Sequence, residues 1–160
     1  MDNEYLSIYL NDQLAANVAW RELARRTQGS NQGTPLGDAM EEVTAAFEQD
    51  VEALRGIMGR LGISHSRVKP VLAMAAERAG RLKMNGTWRS YSPLSRFVEL
   101  EALCLGIDGK RQLWENLREF ARVGERLPDI DFDALIERAE RQRALIEPHR
   151  RATGTDVLSA

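Results

Sequence analysis

The sequence predicts an all-α fold: an antiparallel four-helix bundle with an additional C-terminal fifth helix. Three observations carry this. Apolar residues recur at steps of three and four through most of the 160 residues, and no run alternates as a half-buried strand would. Cap-plus-proline pairs, Thr34-Pro35 and Ser92-Pro93, open two of the periodic runs. The breaks between runs are short, which favours antiparallel neighbours.

The first helix is expected from about Glu4 to Thr27, with a seam at Leu6, Leu10, Gln13, Asn17, Trp20 and Ala24. The loop "GSNQG" leads to the second, about Pro35 to Leu61. Its seam is Leu36, Met40, Val43, Phe47, Asp50, Leu54, Ile57 and Leu61, in which Asp50 is the one polar position. At 1.5 Å per residue this helix is about 40 Å long, and Gly62 ends it. The third runs from near Ser66 to Asn85-Gly86, tolerates Pro70 in or near its first turn, and has a middle of small residues, "AMAAERAG". The fourth runs from Pro93 to about Val123. It has one stripe at Leu94, Val98, Glu101, Leu105 and Asp108, and another at Leu100, Leu103, Ile107, Trp114 and Leu117. A helix apolar on two sides needs partners on two sides. Its interior Gly106 and Gly109 predict close packing or a bend. Asp131 caps a fifth helix with inner face Phe132, Leu135, Ala139, Gln142 and Ile146. Pro148 is expected to bend or fray its last turn. The single domain then spans residues 1–153, followed by a flexible tail at 154–160.

Composition narrows function by exclusion. The net charge is −2, with 43% hydrophobic and 29% charged residues, as in an ordinary globular chain. The bases are nearly all Arg, with Lys only at Lys69, Lys83 and Lys110, and they are scattered, so no nucleic-acid partner is expected. Cys104 is the only cysteine, which excludes a disulfide framework within the chain. The start "MDNEYLSIYLNDQ" has no basic segment leading into an apolar run, and no stretch of about 18 apolar residues follows. No membrane partner is expected, and the expected location is cytoplasmic.

The run "SRFVELEALCLGIDGK" (Ser95–Lys110) sets acids among apolar neighbours. Glu101 and Asp108 are seven apart and share one helix face, as Asp50 shares the second helix's seam. With Gln13 and Asn17, polar residues of three helices are expected to converge inside. Two readings remain open. Asp50, Glu101 and Asp108 form an all-oxygen site for a hard cation such as Mg²⁺ or Mn²⁺. Alternatively they pair with arginines or amides and fix helix register. Glu99, at a different angle, reads as a surface charge. His65 reads as a turn or capping residue, His149 as a partly exposed side chain beside Arg150 and Arg151, and Cys104 as a small core residue. Trp88 and Tyr91 in "TWRSYS" are expected to cover one end of the bundle.

The phrases "YLNDQLA", "GRLKMNG" and "SPLSRFVELEALCLG" resemble the ferritin-like superfamily, and more closely uncharacterised actinobacterial helical-bundle proteins of that type. The resemblance implies a helical bundle whose di-iron members carry a Glu on each of two helices and Glu-x-x-His on each of two others. Here the residues three before His65 and His149 are Gly62 and Ile146, so no Glu-x-x-His exists and a standard di-iron site is not expected. The expected function is that of a non-catalytic bundle acting by protein association, as a homodimer or with another protein partner, and without a cofactor. The alternative is a carboxylate-based divalent-metal protein derived from a ferritin-like ancestor, binding Mn or Fe at Asp50, Glu101 and Asp108.

Overall fold

A computed structural model describes residues 4–65 and 91–159. The third helix of the sequence reading and Trp88 lie outside these residues. Among the described residues every regular element is a helix: α1 (Glu4–Ser30), α2 (Pro35–Arg60), α3 (Pro93–Glu119), the single turn α4 (Val123–Arg126) and α5 (Phe132–Leu158). None is long and apolar enough to cross a membrane.

The termini follow local chemistry. Thr34 accepts from the Gly37 amide at 3.1 Å, Ser92 from Ser95 at 3.1 Å and Asp131 from Ala134 at 2.9 Å, so each expected cap satisfies an otherwise unpaired helix donor. At the end of α2, Gly62 takes φ +71°, its amide reaches the Gly59 carbonyl, and the Ile63 amide reaches Met58. This is a Schellman stop, and it requires the left-handed backbone that glycine supplies.

The four long helices close into a ring in which α1 packs on α2 and α3, and α5 packs on α3 and α2. Bonded pairs step in opposite directions along neighbours. Arg118 meets Asp133, Lys110 meets Gln142 and Arg150 meets Glu101, so α3 and α5 are antiparallel. Tyr9 with Asn116 and Arg26 with Glu99 show the same for α1 and α3. The last helix is therefore one of the four ring members. Two apolar clusters fill the interior. One gathers Leu14, Leu54, Met58, Trp114 and Phe132, the other Leu36, Met40, Phe47, Leu103 and Ile146.

Pro148 does not end α5, and the expected tail is corrected over residues 154–158, which are helical. Arg150 and Arg151 reach back over the proline to Glu147, at 2.8 Å each. Beyond it Gly154 lies so close to Phe97 that an added Cβ would stand 2.7 Å from the ring. Packing and side-chain pairs together outweigh one missing backbone donor.

The two glycines of α3 separate in the same way. A Cβ on Gly106 would stand 2.7 Å from the Trp20 ring, whereas one on Gly109 would meet nothing within 4 Å. Gly106→Ala is expected to destabilise by about 1–3 kcal/mol through overpacking. Gly109→Ala is expected to stabilise by about 0.5–1 kcal/mol through helix propensity. Urea unfolding of the two variants checks both signs, and equal shifts would contradict the packing of Trp20 on Gly106.

Candidate functional site

The inner face of α2 delivers Asp50 to the centre of the ring, where its side chain is 1% exposed. Its neighbours come from two other helices. Lys110 of α3, equally enclosed, places Nζ 2.5 Å from Asp50 Oδ2 and donates to Gln142 Oε1 at 2.5 Å. Arg138 of α5 donates Nε to Asp50 Oδ1 at 2.9 Å, and Gln142 donates Nε2 to Oδ2 at 3.2 Å. The Lys110 ammonium also lies 3.8 Å from the centre of the Phe47 ring, within cation–π range. Burial pushes the Lys110 amine down to about 8, against the opposing pull of Asp50.

A second buried acid lies nearer the α1–α2 turn. Glu99 faces inward with its side chain 6% exposed, a correction to its expected place on the surface. Arg26 holds Oε1 at 2.8 Å, and Thr27 and Tyr91 donate to Oε2 at 3.2 and 2.9 Å. The Tyr91 hydroxyl in turn accepts from Asn31 at 2.9 Å, so this tyrosine joins the turn to the start of α3. Its burial raises the phenol to about 12.

The three expected ligands are not brought together. Asp50 is interior, but the side chains of Glu101 and Asp108 are 48% and 43% exposed, so the expected burial of Glu101 is corrected. They lie beside Arg150 at 3.7 Å and Arg143 at 3.5 Å. The stripe they share faces outward, because the stripe of Leu100, Leu103, Ile107, Trp114 and Leu117 takes the core. Among the described residues no group of three or more His, Cys, Asp or Glu side chains is placed to hold a metal ion. Asn17 is buried, but its amide donates to the Gln13 backbone carbonyl at 2.8 Å and not to the Asp50 cluster.

Cys104 is buried, as expected of a core residue, and burial raises its thiol. That is the opposite of what an activated nucleophile needs. His65 is exposed beyond α2, and His149 is half-buried in α5. A shallow groove of about 400 Å³ between α3 and α5 is lined by Asp108, Arg111, Ala139, Glu140, Arg143 and Glu147. Its guanidinium groups already have partners, Arg111 with Glu115 and Arg143 with Glu147.

Lys110 and Arg138 escaped the reading from sequence, and Gln142, expected on the inner face of the last helix, was not linked to Asp50. The signal for Lys110 was present: it stands three residues after Ile107 and four before Trp114, on the seam itself. Compared with known protein families, curated proteins and solved structures, the chain matches none.

Proposed function

We propose that this protein is a non-catalytic four-helix bundle of ferritin-like topology that acts through association with a second copy of itself. The topology reading is supported by α2 and α3, which sit across the ring and run the same way, since each is antiparallel to α1. In ferritin-like bundles, too, the second and third staves run the same way. The absence of chemistry in the reading is supported by the buried charges, since Asp50, Lys110 and Glu99 all bond to groups of the same chain.

The observation that carries association is the outward stripe of α3. Half-buried Leu94 and Val98 continue this stripe toward the start of the helix, and its exposed apolar member is Leu105, at 70%. The Glu101–Arg150 and Asp108–Arg143 pairs border it and supply both signs of charge. A stripe of apolar side chains interleaved with both signs of charge suits a two-fold contact, in which the same patch meets itself.

Sedimentation or light scattering tests this. The parent is expected to be a dimer at micromolar concentration, and Leu105→Glu, at an exposed site, a folded monomer. A parent that stays monomeric at high concentration sinks the reading. Mn²⁺ and Fe²⁺ titration during thermal unfolding tests the metal alternative. No rise in melting temperature is expected, because Lys110 and Arg138 already direct two positive charges at Asp50. A rise abolished by Asp50→Asn with Glu101→Gln would establish the carboxylate site instead.

A further inference from the structure

The apolar ladder of α2 does not define its own register. Leu36, Met40, Val43, Phe47, Leu54 and Ile57 recur at steps of four and three, so a slide of one heptad sets apolar against apolar everywhere except at Asp50. Asp50 also divides the interior: Phe47 belongs to one apolar cluster, and Val51 and Leu54 belong to the other. On α3, Lys110 stands between Ile107 and Leu113 in the same manner. Lys110 reaches Asp50 across the ring, and Arg138 and Gln142, one turn apart on α5, reach it from the side.

We propose that the Asp50–Lys110–Arg138–Gln142 cluster is a register lock, which selects one alignment of α2, α3 and α5 and is not the source of the fold's net stability. A shift of one helix by a single turn, about 5.4 Å, moves its side chains out of hydrogen-bonding reach. Asp50 and Lys110 would then be buried among apolar side chains without partners, which is the costly outcome. In the observed register, attraction is set against the desolvation of both ions, a balance that apolar side chains of similar volume commonly equal or better. The lock is independent of whether the protein dimerises.

The variant Asp50→Leu/Lys110→Met/Gln142→Leu removes the lock and retains the volume. Arg138 keeps its bond to Gln49, at 3.1 Å, and its route to solvent. Spin labels on exposed Glu52 of α2 and Glu140 of α5, in a Cys104→Ala background, report the alignment of the two helices. The expected result is a melting temperature at or above that of the unmutated chain, with the single label-to-label distance broadened or split. A second packing, Asp50→Met/Lys110→Leu/Gln142→Met, decides by the same criteria if the first fails to fold. One narrow distance matching that of the unmutated chain overturns the proposal, because the alignment then survives without the cluster. A lowered melting temperature or loss of folding in both packings overturns it too, because the cluster is then a net stabiliser.

Discussion

Asp50→Ala is expected to lower the unfolding free energy by about 3–5 kcal/mol, the usual result of removing one partner from a buried ion pair. The carboxylate is fully enclosed and touches Lys110, which is itself enclosed. Without it the ammonium keeps only Gln142 and the Phe47 face, and the cheapest response is to lose a proton. That response has a pH signature. In the intact protein the amine lies at about 8 when folded and at 10.5 when unfolded, so between these values the unfolded chain binds more protons. This group's contribution to stability therefore rises with pH across the window from 8 to 10.5, by at most about 1.4 kcal/mol per pH unit. Lys110→Met should abolish that rise. Asp50→Ala should start it at lower pH, because the Coulombic support for the charged amine is gone. Urea unfolding of the three proteins at pH 7, 9 and 10 measures these effects. A loss below about 1 kcal/mol at pH 7 for Asp50→Ala, the range of a surface substitution, would mean that Asp50 is not enclosed.

What could be read from sequence divides along the type of signal available. The seam of α2 was legible because one apolar stripe dominates it, and seven of its eight positions, Asp50 included, are buried, with Leu61 half-buried. The inner face of α5 was legible for the same reason, from Phe132 to Ile146. α3 offered two stripes, and periodicity alone could not say which would win. The core takes the one interrupted by Lys110, whose charge makes it look like a surface residue until Asp50 is placed opposite. Glu99 was misplaced because two of its three partners, Arg26 and Thr27, are more than seventy residues away and come near only through the α1–α3 contact. Pro148 was expected to bend or fray the last turn, yet the helix continues to Leu158. Its local penalty is real, but the Glu147 pairs and the seat of Gly154 on Phe97 lie outside any local rule.

Phe47→Ala is expected to cost about 3–5 kcal/mol, as truncation of a fully buried aromatic does. Its ring is 0% exposed in the apolar cluster with Met40, Leu103 and Ile146. It also has a second role, since its face lies under the Lys110 ammonium. A desolvated cation–π contact is worth about 2 kcal/mol, and this one supports a cation that has only one carboxylate to share with Arg138. Phe47→Leu separates the two roles, because it keeps most of the apolar volume and loses the π face. It is expected to cost about 2–3 kcal/mol, the π contact plus a small packing loss, and less than the alanine change. The pairwise part follows from a double-mutant cycle of Phe47→Leu with Lys110→Met, where a coupling of at least about 0.5 kcal/mol is expected between contacting groups. Zero coupling would remove the ring from the cluster's electrostatics and leave it as packing alone. A Phe47→Ala cost below about 1 kcal/mol would go further and take the ring out of the core.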